Sequence, residues 1–413
     1  MRVTVLTIGD EIVGGHVVDT NAAYLSRRLS ELGFRVRRLA SVGDDLGEIG
    51  GEIKLATTDS DLLFVTGGLG PTRDDITKQA VAEAAGRPLV IDSGLHASLR
   101  HRFSSRAGVR PEVIESFSRI PEGARVLENP LGAAPGIAVE VGGKTVYLMP
   151  GVPREMRAVF ERDIVAEIAV LSRTGLSKSR VIRTFGLRES EIAEQIEDVR
   201  LPSGVRLGYL PGRGGVDLRL VASGRDEPSA AAVLGEAAGA LARVLGRSVY
   251  STEGEDLQVV VGGMLIARAT TIAVAESCTG GLVGHLLTEV PGISACFKSD
   301  IVAYSNRTKV DTLAIDEELI RRYGAVSRQV GEAMAIGARR LAGTHLGLST
   351  TGIAGPTGGS RQKPVGLVYV CLAHQDGCII TDNVFRGTRE IVKSRAAMHA
   401  LDLVRCHLLD TGV

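Results

Sequence analysis

The stretch RVTVLTIGDE, Arg2 to Glu11, decides the fold class. From Val3 to Ile8 it is apolar or β-branched, a run suited to a buried strand, and Gly9-Asp10-Glu11 ends it. A helical pattern follows, with Asn21 as the candidate cap, Leu25, Leu29 and Leu32 at i, i+4 and i+7, and Gly33 as the stop. Phe34 to Leu39 and Asp61 to Val65 read as further strands, and Ile76, Ala80, Val81 and Ala84 share one face of the next helix. Strands alternating with amphipathic helices predict an α/β domain with a largely parallel sheet.

Working outward, that first domain is expected to span residues 1–170, ending after a strand at Thr145 to Leu148 and the loop Met149-Pro150-Gly151-Val152-Pro153. Residues 171–252 read as a small α+β domain: strand Arg180 to Thr184, helix Glu189 to Asp198, a glycine-rich hairpin around Gly212 to Gly215, strand Val216 to Val221, and an alanine-rich helix from Ala230. Polar Ser251 to Asp256 marks a boundary, and residues 253–413 read as a second α/β domain with strands near 271–275, 300–304, 347–351 and 365–371. The expected architecture is therefore two α/β sandwich domains with largely parallel sheets, joined by a small α+β middle domain. A chain of 413 residues is long enough for such a division.

Composition narrows the function. Lys plus Arg equals Asp plus Glu at 48 each, without long runs of one sign, so the field needed for nonspecific nucleic-acid binding is missing. No stretch approaches the roughly 18 apolar residues of a membrane span, and the N-terminus turns acidic after a few apolar residues. A cytoplasmic protein is expected, with neither nucleic acid nor membrane as a partner and a homodimer as its assembly. Cys278, Cys296, Cys371, Cys378 and Cys406 include no C-x-x-C pair, which fits reduced thiols.

Parallel sheets bind ligands at their carboxyl edge. Two stretches reach that edge in the first domain: Gly9-Asp10-Glu11 and the run Gly67-Gly68-Leu69-Gly70-Pro71-Thr72-Arg73-Asp74-Asp75. Gly67, Gly68 and Gly70 can bring backbone N–H groups to a phosphate, Thr72 offers a hydroxyl, and Asp74 and Asp75, with Asp10 in the same crevice, can hold a hard divalent ion. The competing reading makes the glycines a tight turn and Asp74 or Asp75 a helix cap.

In the C-terminal domain, AESCTGG (Ala275 to Gly281), YSNRTK (Tyr304 to Lys309) and STTGIAGPTGG (Ser349 to Gly359) each follow an apolar run. Ser277 needs a base, and His285, His345, His374, His399 and His407 fall in no triad signature. Lys309 is the more attractive partner, because a desolvated lysine can take a hydroxyl proton, and Tyr304 can relay or orient it. N–H groups of Thr279, Gly280 and Gly281 can stabilise an oxyanion, and those from Gly352 through Ile353 to Gly355 can receive a phosphate. The competing reading makes Ser277 a helix cap, Tyr304 part of the sheet rim and Lys309 a solvated residue. Cys278 is a rival nucleophile by intrinsic reactivity, with no His or Asn motif to serve it.

Together these motifs resemble the CinA, or competence/damage-inducible, family over nearly the whole chain. Gly9 to Ile12, Asp19-Thr20-Asn21, Gly67 to Asp75, Ala134-Pro135-Gly136 and Met149 to Pro153 are similar to its molybdopterin-binding-like domain. The resemblance implies a metal-dependent ADP-ribose pyrophosphatase there, with a divalent ion as cofactor. Ala275 to Gly281, Tyr304-Ser305-Asn306, Lys309, Gly324 to Ser327 and Thr351 to Pro356 resemble its C-terminal domain. That likeness implies a cofactor-free nicotinamide-nucleotide amidohydrolase, which converts nicotinamide mononucleotide to nicotinic acid mononucleotide and ammonia. Ser277 would be the nucleophile, Lys309 and Tyr304 would assist proton transfer, and a later arginine, Arg389 or else Arg395, would join them. Two departures remove polar groups from the first domain's expected site: Ser116-Phe117 where a Lys-Gln pair is frequent, and Ala133 in place of threonine in Gly132-Ala133-Ala134-Pro135-Gly136.

Overall fold

The computed structural model describes residues 1–104, 110–171, 176–212, 214–224 and 226–411. Arg213 in the expected glycine-rich hairpin, and the link at 172–175, lie outside the described residues. The chain packs as two compact units, Met1–Lys178 with Ala222–Ala232, and Ser179–Val221 with Val233–Val413.

In the first unit, β1 (Arg2–Ile8) pairs in parallel with β2 (Arg35–Val42) and β3 (Leu62–Thr66). Every residue of β1 after Arg2 is buried, as expected of a parallel strand covered on both faces. Its pleat divides the core. Val3 and Val5 pack with Leu25 and Leu29 of helix Thr20–Glu31, while Leu6 and Ile8 pack with Ile49 and Ile53 of helix Leu46–Asp59. A short ribbon, β4 (Leu89–Ile91) and β5 (Arg119–Pro121), stands apart from the main sheet. With β6 (Arg125–Leu127), β7 (Gly136–Val141) and β8 (Lys144–Met149), the main sheet runs β2-β1-β3-β8-β7-β6. β8 joins β3 in parallel; β7 and β6 add an antiparallel edge. That edge follows from the Gly142-Gly143 turn, whose φ angles of 56° and 73° suit a tight two-residue hairpin.

The cap of helix Thr20–Glu31 differs from the expectation. Asp19, not Asn21, accepts the N–H of Ala22 at 2.8 Å. The chain offers both residues, and Asn21 is instead drawn inward, donating to Thr66 Oγ1 at 3.0 Å and the Gly151 carbonyl at 2.7 Å.

The middle region forms its own sheet from β9 (Leu176–Thr184), β10 (Arg206–Gly212), β11 (Gly215–Gly224) and β12 (Val249–Ser251), in the order β10-β11-β9-β12. Helix Glu227–Leu245 is, among the described helices, the one long and apolar enough to cross a membrane. It buries Ala230, Leu234, Ala237, Ala238 and Leu241 in the protein.

The C-terminal sheet runs β14 (Phe297–Val302), β13 (Ile272–Glu276), β15 (Leu346–Gly352), β16 (Leu367–His374) and β17 (Gly377–Val384). β13 is parallel to both neighbours, and β16 and β17 extend the sheet in antiparallel fashion. Ile272 and Val274 face a core shared with helices Leu257–Ala267 and Arg389–Asp410; Ala273 and Ala275 face Val330, Met334 and Ala338 of helix Arg328–Ala342. The expected α/β class is present in both units. The parallel strands of each sheet carry the loops that matter for function.

Candidate active site

β13 delivers Ser277 to the carboxyl edge, where its N–H donates to the Thr350 carbonyl at 2.9 Å. Ser305 caps helix Asn306–Leu313, which points Lys309 back into the protein, 1% exposed. Lys309 Nζ donates to Ser277 Oγ at 3.1 Å, to the Ala303 carbonyl at 2.7 Å and to the Tyr304 carbonyl at 3.5 Å. Burial lowers the pKa of this amine from the usual lysine value. Two carbonyls thus hold Nζ against the hydroxyl, and desolvation favours its neutral, proton-accepting form. Lys309 is not on a solvated face, and Ser277 is not a cap.

The cap of helix Leu282–Thr288 is Gly281 at φ 92°, in the left-handed region where glycine is favoured. The first turn is satisfied by Glu276, whose fully buried carboxylate accepts the N–H of Gly281 at 2.9 Å and of Gly284 at 2.8 Å. Gly281 is therefore spent and cannot serve as an oxyanion donor. The N–H groups of Thr279 and Gly280 have no acceptor among the described residues. Thr279 is buried, its hydroxyl 2.6 Å from that of Thr350. Asp300 on β14 stands against Glu276, and burial, then the charge and hydrogen bond of Glu276, push its carboxyl up to about 7. Glu276 and Asp300 were not singled out from sequence; a carboxylate inside an apolar strand, one residue before the serine, was the available signal.

Cys278 is buried in the hydrophobic core, and desolvation pushes its thiol up to about 12, so it is not a thiolate at neutral pH. Tyr304 is 61% exposed, on the rim. Its hydroxyl accepts from Arg389 Nη2 at 2.8 Å, so it is its backbone, not its phenol, that meets Lys309. Arg389, first residue of its helix, also donates to the Gly355 carbonyl at 2.8 Å. Arg395 instead reaches the Arg386 carbonyl at 3.4 Å. In the third loop the Ile353 N–H donates to the Leu367 carbonyl at 2.8 Å, which removes it from the expected phosphate cradle. Ser277, Tyr304, Lys309, Gly352, Ile353, Gly355 and Arg389 nevertheless share one cavity of 270 Å³.

The first unit has a cavity of 630 Å³ bounded by Gly67, Gly68, Gly70, Glu11, Asp44, Asp74 and Asp75. Phe117, Ala133 and Ala134 line it too, so both departures from the family pattern fall on this cleft. Its loop donates inward. Gly67 N–H goes to the Met149 carbonyl at 3.2 Å, and a Cβ at Gly67 would lie 2.1 Å from the Ile8 carbonyl oxygen. Asp75 accepts from Gly70 N–H at 2.7 Å, Thr72 N–H at 2.9 Å and Thr72 Oγ1 at 2.5 Å. Of the expected phosphate ligands, Gly67, Gly70 and Thr72 are thus engaged by the protein, and Gly68 N–H is without an acceptor among the described residues.

The expected metal ligands do not fit as a set. Asp75 is a loop clamp rather than a ligand or a helix cap. Asp10 Oδ1 accepts Asp44 N–H at 3.1 Å, and Asp44 Oδ2 accepts Asp10 N–H at 3.0 Å. Among the described residues no three His, Cys, Asp or Glu side chains form a group able to hold a metal ion. The physical reason is that Asp75 is turned onto the N–H groups of its own loop and Asp10 onto the N–H of Asp44 in a neighbouring loop, so the two carboxylates do not face one shared ion.

Fold and site define an α/β protein with a cleft at the edge of each main sheet, the second holding a serine–lysine pair. Family models match along the chain: a "Probable molybdopterin binding domain" at 4–169, a "Damage-inducible protein CinA KH domain" at 179–251 and a "CinA C-terminal domain" at 254–408. The "CinA-like protein" of Frankia casuarinae is 40% identical over 417 aligned positions, covering 98% of this chain and 96% of that one. That of Gemmatimonas aurantiaca is 39% identical over 410, covering 98% and 96%. A crystal structure of the protein CinA from Thermoplasma acidophilum matches 39% of this chain and 94% of its own, at 41% identity and a TM-score of 0.37. The chain belongs to the CinA family.

Proposed function

We propose that the C-terminal domain is a nicotinamide-nucleotide amidohydrolase acting through Ser277 and Lys309. The observation that carries this is the 3.1 Å contact between Ser277 Oγ and the buried Lys309 Nζ. In its neutral form Nζ takes the proton of Oγ as Oγ bonds to the carboxamide carbon. The resulting ammonium returns a proton to the departing nitrogen, the C–N bond breaks, and ammonia leaves an acyl-serine. Water then gives a proton to Nζ, attacks the ester carbon and releases the carboxylic acid as Oγ regains its proton. The Thr279 N–H, without an acceptor among the described residues, is the donor left to the oxyanion. Tyr304 and Arg389 close the rim and orient the substrate. The test is ammonia release from nicotinamide mononucleotide by the full chain and by Ser277→Ala. Activity confined to the native chain supports the reading, and equal activity in both overturns it.

For the first cleft, the engaged Asp10 and Asp75 favour a module that binds a phosphorylated nucleotide or pterin. The family resemblance favours hydrolysis of ADP-ribose with a divalent ion. Incubating the full chain with ADP-ribose and a divalent ion separates them: saturable binding without AMP supports the module, and AMP release supports the pyrophosphatase.

A further inference from the structure

Beside the serine cavity lies a second, of 740 Å³, and Arg389 lines both. The smaller space, at 270 Å³, is below the ~300 to 1,000 Å³ usual for enclosing a drug-sized ligand. A nucleotide whose carboxamide reaches Ser277 must therefore extend its other end beyond it. The larger cavity carries Lys393, Ser394, His285, Glu289 and Glu390 with Arg389. Lys393 follows Arg389 by four residues on helix Arg389–Asp410, so both leave the same face. Its Nζ lies 3.6 Å from where a Cβ on Gly280, the first glycine of the serine motif, would stand.

Among the cations of this space Lys393 stands out, while Glu390, exposed in the first turn of the same helix, is a carboxylate on its border. Glu289 is held by His285 at 3.5 Å, and Arg389 is held by Tyr304 and Gly355. Lys393 has no hydrogen-bond or ion-pair partner among the described residues, and its charge is felt at the Cys278 thiol. Gly280 beside it is exposed and keeps a free N–H among the described residues. A cationic amine and an open amide, half-sheltered and adjacent to the reacting centre, match a phosphate monoester.

We infer that the second cavity is the subsite for the phosphate of the substrate, with Lys393 receiving it and thereby distinguishing a nucleotide from the corresponding nucleoside. This rests on the amidohydrolase reading above. It relocates the anion from the Gly352–Gly355 loop, where the Ile353 N–H is already used, to the far side of Gly280.

The experiment compares kcat/KM for nicotinamide mononucleotide and nicotinamide riboside in the full chain, Lys393→Gln and Lys393→Arg. Loss of one charged contact should lower the nucleotide-over-nucleoside ratio about 10- to 100-fold in Lys393→Gln, mainly through KM, with Lys393→Arg recovering part of it. The nucleoside serves as the folding control. An unchanged ratio, or an equal loss on both substrates, overturns the inference while leaving Ser277 and Lys309 in place. If the native chain releases ammonia from neither substrate, the amidohydrolase reading itself falls and takes this subsite with it.

Discussion

The two clefts begin alike and finish differently. Each lies where a parallel strand ends in a glycine-bearing loop with polar residues at close spacing. In the first, the loop turns its donors and Asp75 upon itself, so its polar groups build the frame. In the second, Glu276 takes over the framing, and Ser277 and Lys309 are left facing the cavity. A carboxylate or hydroxyl at suitable spacing becomes chemistry only when another group satisfies the backbone around it.

The contrast can be broken from either side. The largest effect is expected from Lys309→Met, which keeps length and removes the base: amide hydrolysis should fall about 10²- to 10⁴-fold while the unfolding temperature does not drop. Loss of activity only in step with loss of fold would return Lys309 to a structural role. Next, Asp75→Ala removes the acceptor of three donors and should cost about 1 to 3 kcal/mol in the first unit and weaken nucleotide binding there, with amide hydrolysis unaffected. Denaturant unfolding and calorimetric titration read both. Retained binding would show that the loop does not depend on the clamp.

A smaller effect concerns Asp300. Its folded pKa, about 7, lies above the ~4 of an unfolded aspartate, so its protonated form favours the native state at acid pH. That contribution is lost as pH rises through about 7. Between pH 5.5 and pH 8 the native chain should therefore lose more thermal stability than Asp300→Asn, and parallel losses would contradict the pairing with Glu276. The smallest effect is expected from Cys278→Ala, within a few-fold of native activity, because the thiol is packing; an inactive but folded variant would reopen its claim as nucleophile.

Much of this was legible in the chain. The buried strands announced themselves as short apolar runs, and Ser277 and Lys309 were legible because loops after parallel strands converge, whereas Arg389, which follows an antiparallel strand, came only from the family resemblance. What escaped was pairing at long range. Asn21 looks like a cap until Thr66 and Gly151 are seen beside it, and Asp10 looks like a ligand until Asp44 closes on it. Lys393 carries no motif, and only the helix that places it one turn beyond Arg389 brings it to Gly280. The antiparallel edges did leave a trace, in Gly142-Gly143 and Asp376-Gly377, each beside a β-forming run.

Rapid-quench mass spectrometry of the full chain with nicotinamide mononucleotide tests the central claim most directly. The account predicts a transient adduct of the nicotinic acid mononucleotide acyl group on Ser277, absent in Ser277→Ala. An adduct on Cys278, or undiminished ammonia release by Ser277→Ala, would contradict it.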